Sequence, residues 1–261
     1  MDLDLEGRPA LVAAASRGLG RGCALALAAE GARVAISARD PKALEAARAE
    51  IEEATGVPVA AVAVDVAAEP QRFIEEGAAA VGGCEILVPN AGGPRMGRFD
   101  ELSDDDFRAA LELNFFSTVR MTRAALPMMR QAGYGRIVIV GSSSIKQPIP
   151  NLILSSSARA GVAGWAKTMA VEVARESITV NVVLPGRFLT DRVRELIADG
   201  ARRSGRSEEE EARTEAEAIP VGRFGEPREI GDLVAFLASP RAAYITGAFY
   251  QVDGGFIRGL L

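Results

Sequence analysis

Arg8-Pro9-Ala10-Leu11-Val12-Ala13-Ala14-Ala15-Ser16-Arg17-Gly18-Leu19-Gly20 is the stretch that decides the fold. Its first half, Arg8 to Ala14, is a short apolar run ended by a glycine-containing turn, which reads as a buried strand. The turn runs straight into Gly18 to Glu30, where Ala and Leu recur at helical spacing. Gly18 and Gly20 let the backbone come close to a pyrophosphate, and a helix N-terminus stabilises the negative charge. Ser16, Arg17, Gly18, Leu19 and Gly20 are therefore candidate phosphate-binding residues.

Working outward, the same alternation continues. Strands are expected over Arg33 to Ala38, Val59 to Val64, Glu85 to Pro89, Gly135 to Gly141, Ile178 to Leu184 and Phe249 to Val252. Helices are expected over Pro41 to Ala54, Pro70 to Val81, Asp104 to Arg130 (interrupted or bent near Pro127) and Leu152 to Arg175. Apolar, β-branched strands alternating with helices imply a parallel sheet covered on both faces. The expected fold is a single-domain Rossmann-type α/β structure over residues 1–261, a doubly wound parallel sheet. Thr190 to Pro220 differs from the rest, being rich in Arg and Glu with the run Glu208-Glu209-Glu210-Glu211. It reads either as a solvated helix or as a lid, since it follows the sixth strand at the edge where ligands bind.

Composition narrows the function. The net charge is −5, against general nucleic-acid binding. No apolar run is long enough to span a bilayer, and the acidic start Met1-Asp2-Leu3-Asp4 does not read as a secretory signal. Cys23 and Cys84 read as reduced core thiols, so the expected location is cytoplasmic. There is no histidine. That excludes a Ser-His-Asp triad, a Cys-His pair and any His-based metal site, and no metal is expected.

Later motifs, in order, resemble those of the short-chain dehydrogenase/reductase family over nearly the whole chain. Gly18-Leu19-Gly20 fits the family's opening T-G-x-x-x-G-[IL]-G, with Ala13 and Ala14 in place of the first Thr and Gly. Ala14 fits there only with a negative φ. Asn90-Ala91-Gly92 matches N-A-G, Asn114 the Asn of the long helix, and Pro185-Gly186 the P-G after the sixth strand. Gly222-Arg223-Phe224-Gly225-Glu226-Pro227, Ile245-Thr246-Gly247 and Val252-Asp253-Gly254-Gly255 resemble the family's C-terminal signatures. The flavour is that of 3-oxoacyl-carrier-protein reductases. The resemblance implies a nicotinamide cofactor, a small-molecule substrate and a homotetramer or homodimer built on the segments from Asp104 and Leu152.

An acid after the second strand would grip the ribose of NAD. Here that position is Ala38, followed by Arg39, and Arg17 stands in the phosphate loop. Two guanidinium groups suit a 2′-phosphate, so NADP(H) is expected ahead of NAD(H). The resemblance also places Asp65 and Val66 near the adenine. The family's proton chemistry uses Asn, Ser, Tyr and Lys. Asn114 and Ser142 match the first two, but the Tyr and Lys positions hold Ser155 and Arg159, with Ala160-Gly161 fixing the register. An aliphatic hydroxyl is a far weaker acid than a phenol of pKa about 10, and arginine does not give up its proton. Arg159 keeps a positive charge that can face ribose hydroxyls. Lys146, four residues past Ser142, is either a surface residue or, if desolvated, a substitute donor. Two readings follow: an oxidoreductase with an altered proton path, or an NADP(H)-binding protein without redox turnover, such as a sensor or an inactive partner of an active paralogue.

Overall fold

The computed structural model describes residues 1–259; Leu260 and Leu261, the end of the expected domain, lie outside them. Seven strands form one parallel sheet in the order β3-β2-β1-β4-β5-β6-β7. They are β1 (Pro9–Val12), β2 (Arg33–Ala38), β3 (Val59–Ala63), β4 (Ile86–Val88), β5 (Gly135–Val140), β6 (Ile178–Pro185) and β7 (Phe249–Val252). The order reverses between β1 and β4, which pair at Ala10 with Ile86 and Val12 with Val88. In such sheets the crevice beyond the carboxyl ends at the reversal is where a ligand fits.

The helices α1 (Gly18–Ala29), α2 (Pro41–Thr55) and α3 (Pro70–Val81) follow the first three strands. Asp40 caps α2 by accepting from the amides of Lys42 and Ala43, and Pro41 sits where no amide is needed. One face of the sheet packs on α1, α2 and α9 (Pro227–Ala238) through Leu27, Ile36, Ile51 and Ile230. The other packs on α3, α5 (Ser117–Ala132) and α6 (Ile153–Val173) through Leu11, Phe73, Met121, Ile137 and Val162. With helices on both faces, the near-continuous apolar strands are explained. α1 and α9 touch backbone to backbone: a Cβ on Gly231 would stand 2.4 Å from the carbonyl oxygen of Gly22. Cys23 and Cys84 are free and buried, and burial pushes the Cys23 thiol up to about 12.

Three expectations need correction. The helix from Asp104 is not interrupted at Pro127, which lies inside α5 without ending it. It is broken earlier, where α4 (Asp104–Leu111) gives way to a widened π-turn at Glu112–Phe116 that presents Asn114 inward. Ala14 does not keep a negative φ; its φ is +49°. Thr190 to Pro220 is not one helix but a hairpin of two, α7 (Asp191–Ser204) and α8 (Glu208–Glu217). α9, absent from the sequence reading, begins with Pro227 behind a capping box of Glu226 and Glu229. Among the described residues, no helix is long and apolar enough to cross a membrane and no cluster could hold a metal ion.

Candidate active site

The phosphate loop leaves β1 and enters α1 through tight backbone contacts. A Cβ on Gly20 would lie 2.7 Å from the Asn90 side-chain nitrogen, so only glycine closes the turn. Gly18 has φ +57°, a left-handed value that glycine takes without strain. Arg17, at the N-cap of α1, offers no side-chain cap, so the first amides of α1 stay open toward the crevice. By contrast Asp40, Thr190 and Ser207 cap α2, α7 and α8. Open amides on a helix N-terminus beside a glycine turn fit a diphosphate. Ser16 and Leu19 are half-buried in the same loop.

The residues expected at an adenosine end follow β2 and β3. Arg39 is exposed beyond the buried Ala38, and no ion pair holds it among the described residues. Arg17 is exposed and faces Asp191 at 3.8 Å. Asp65 accepts from the amide of Ala67 at 3.0 Å, fixing its own turn, and Val66 is buried behind it. Both guanidinium groups are exposed.

Asn90-Ala91-Gly92, the loop after β4, is a hub. Asn90 donates from Nδ2 to the carbonyls of Ala13 and Ala14, both at 3.2 Å, tying the hub to the phosphate loop. Ala91 offers its carbonyl to Nη2 of Arg159 at 3.5 Å. Gly92 offers its carbonyl to Nδ2 of Asn114 at 3.1 Å. Ala91 and Gly92 are therefore joined to two expected site residues, Arg159 and Asn114, and Asn90 to the start of the phosphate loop. Oδ1 of Asn114 is buried without a partner, an acceptor left over for a water or a ligand.

Arg159 lies on α6 one turn past Ser155, so the two share a face of the helix. Its Nη1 donates to the carbonyls of Val140 and Gly141, both at 2.9 Å, at the carboxyl end of β5. The side chain is 9% exposed, and its Nε is buried without a partner. Burial alone lowers its pKa to about 10, so it remains charged at neutral pH. Ser155 is buried in the first turn of α6. Ser142 accepts from the amide of Ser144 at 3.1 Å, and Oγ of Ser144 is buried and unpartnered. Sequence reasoning passed over Ser144 because three consecutive serines gave no reason to prefer it. Lys146 is exposed on the surface rather than desolvated.

The segment that follows β6 meets this site at its base. Gly186 donates to Val252 at 2.9 Å and has no room for a Cβ beside Asp253. Arg187, next in sequence, is paired with Glu215 of α8 and stacked over the Phe256 ring at 5.4 Å. Thr190 caps α7 and lies 3.4 Å from where a Cβ on Gly18 would stand. Neither Arg187 nor Thr190 was picked out from sequence, although both directly follow the Pro185-Gly186 signal.

A family model described as enoyl-(acyl carrier protein) reductase matches residues 13–257. The 3-oxoacyl-[acyl-carrier-protein] reductase FabG of Escherichia coli is 36% identical over 255 residues, 97% of this chain and 98% of that protein. The crystal structure of L-sorbose reductase from Gluconobacter frateurii, complexed with NADPH and L-sorbose, superimposes with a TM-score of 0.95 at 32% identity, covering 100% of both chains. A single-residue variant of actinorhodin polyketide ketoreductase, crystallised with NADPH, has a TM-score of 0.90 at 32% identity, covering 96% of this chain and 97% of that one.

Proposed function

Since this chain belongs to the short-chain dehydrogenase/reductase family, we propose that it is an NADP(H)-dependent oxidoreductase of a carbonyl or alcohol substrate, similar to 3-oxoacyl-thioester reductases, with an atypical proton path. The observation that carries this reading is the hub at Asn90-Ala91-Gly92. It joins the phosphate loop, Asn114 and Arg159 into one rigid floor under the crevice. Bound there, the cofactor supplies a hydride. Ser16 to Gly20 with the open amides of α1 hold its diphosphate, and Arg17 and Arg39 its 2′-phosphate. Asp65 and Val66 flank the adenine, and Pro185-Gly186 borders the nicotinamide end. Ser142 and Ser155 hydrogen-bond the substrate oxygen, and the charge of Arg159 stabilises negative charge growing there. Asn114 offers its free Oδ1 to a water in the proton path. The α7–α8 hairpin forms the lid, and the working unit is a homotetramer or homodimer.

A second reading has its own support. Arg159 spends its donors on backbone carbonyls and Ser155 cannot act as a strong acid, which suits a cofactor-binding protein without turnover. Titration with NADPH and NADH tests the common part. NADPH should bind tighter, and Arg39→Ala should narrow the gap. Equal affinity, or preference for NADH, overturns the assignment of Arg39. Reduction of any ketone in a panel, with NADPH consumed, decides for the enzyme over the binding protein.

A further inference from the structure

Arg17 and Arg39 are assigned the same task but stand in different surroundings. Arg39 is exposed, with no ion pair among the described residues. Arg17 faces a carboxylate: its Nη1 lies 3.8 Å from Oδ2 of Asp191, the first residue of α7. The two residues come from distant parts of the chain, one leaving β1 and the other following β6.

The backbone builds their meeting. Phe188 and Gly225 pair across the two ends of the α7–α8 hairpin. Leu189 donates to the Gly225 carbonyl and the Gly225 amide to the Arg187 carbonyl, both at 2.9 Å. Glycine is needed at 225, since a Cβ there would lie 2.7 Å from Cε1 of Phe188. Thr190 follows this stem. Its Oγ1 accepts from the amide of Val193 at 3.4 Å, and its Cγ2 lies 3.4 Å from where a Cβ on Gly18 would stand. Asp191 is therefore delivered to the phosphate loop by a tied stem and a capped helix start. α7 and α8 pack chiefly on each other, and among the described residues Arg17–Asp191 is the one ion pair between the hairpin and the phosphate loop.

The pair is loose. At 3.8 Å it is longer than a hydrogen bond, and the side chains are 70% and 62% exposed, so it is weak by itself. A phosphate is the stronger partner, because it can meet a guanidinium with two parallel N–H···O bonds. Asp191 does not depend on Arg17: in the first turn of α7 the helix dipole favours a carboxylate without any cation. The exchange of partners is downhill, but the displaced carboxylate stays near the phosphate and opposes it.

We propose that Asp191 is a specificity-determining residue that competes with the cofactor's 2′-phosphate for Arg17, so that the start of the hairpin releases the phosphate loop for NADP(H) and keeps hold of it for NAD(H). The inference rests on the assignment of Arg17 to the 2′-phosphate and adds a hairpin residue, outside the assigned set, that sets the strength of that contact. Arg39 then meets the phosphate without a rival, and Arg17 passes its arrival to α7.

Fluorescence titration with NADPH and NADH at low salt tests this without requiring turnover. Asp191→Asn should bind NADPH about 1.5- to 5-fold more tightly than wild type, the range that an exposed pair spans, with a smaller change for NADH. Glu208→Gln, which removes another exposed first-turn carboxylate of the hairpin, should change neither. In an Arg17→Ala background the gain from Asp191→Asn should vanish. Raising the salt should shrink it, since the Debye length falls from about 10 Å at 0.1 M to about 3 Å at 1 M. With both nucleotides saturating, hydrogen exchange at the start of α7 should be faster with NADPH than with NADH in wild type, and alike in Asp191→Asn. An unchanged NADPH affinity in Asp191→Asn, equal tightening of both nucleotides, or equal exchange in wild type overturns the proposal while leaving the cofactor assignment standing. A wild-type protein that binds neither nucleotide overturns the assignment itself, and the inference with it.

Discussion

Restoring the two family residues, Ser155→Tyr with Arg159→Lys, probes the proton path most directly. A positioned general acid contributes about 10²–10⁴ in rate, or about 3–5 kcal/mol of barrier. That is the gain available when a phenol replaces the Ser155 hydroxyl. The cost falls on Arg159, whose Nη1 makes two bonds of 2.9 Å to Val140 and Gly141 while Nη2 reaches Ala91 at 3.5 Å. An ammonium recovers about one of these. Losing one strong charge-assisted bond costs about 1.5–3 kcal/mol, so the double variant should melt about 3–12 °C below wild type at about 2–4 °C per kcal/mol. Ser155→Tyr alone should give a smaller gain, since Arg159 still lowers the phenol pKa but fills the space of the smaller Lys. The assay is NADPH consumption with a ketone panel, beside NADPH affinity and melting. If the double variant folds, binds NADPH as wild type does and reduces no ketone faster, the assignment of positions 155 and 159 is refuted. Lys146→Ala belongs in the same set. With Lys146 exposed, little loss is expected, and abolished activity with intact NADPH affinity would make Lys146 the donor.

Two further outcomes can be checked without substrate. Light scattering at micromolar concentration should give the mass of a tetramer or dimer with closed symmetry, and a monomer mass would count against it. Arg223 and the amide of Glu226 hold the Glu229 carboxyl down, from 4.5 to about 2. A depressed carboxylate pKa means stability that is present above about 4.5 and lost as pH falls toward 2. Because the pair is exposed, the effect is shallow. Glu229→Gln should flatten the melting temperature between pH 4.5 and 2, and an unchanged slope would remove the pair from the account.

Much of the fold was legible because its signals are local. β2, α3 and β7 have the bounds that periodicity and Pro70 imply. α9 was just as readable, with Pro227 at its start and Ile230, Val234 and Leu237 along one face, but the Gly222–Pro227 stretch drew attention as a motif rather than as a helix entry. The break in the long helix was misplaced for a physical reason. Pro127 removes one hydrogen bond that α5 can spare, whereas one π-turn at Glu112–Phe116 shifts the helix face without leaving a mark in the apolar pattern. At the site, residue types were legible and partners were not. Nothing in the sequence says that Arg159 reaches Val140, Gly141 and Ala91 at once, because that needs the ends of two strands side by side.

Ala14 shows how the same hub accounts for a departure from the family pattern. A non-glycine residue at φ +49° costs about 1–2 kcal/mol, and such strain persists only where the surroundings over-determine the backbone. Here they do. The Ala13 amide donates to Val88 at 3.1 Å, the Ala14 amide to Oγ of Ser37 at 3.3 Å and the Ala15 amide to Ser37 at 2.8 Å. Nδ2 of Asn90 bonds both the Ala13 and the Ala14 carbonyls. With these three amides and two carbonyls committed, the turn cannot relax to a negative φ without breaking several hydrogen bonds, each about as valuable as part of the strain it would relieve. The alanine is therefore carried by β1, β2 and the loop after β4 together, and the geometry that a first glycine would give freely is imposed by its neighbours.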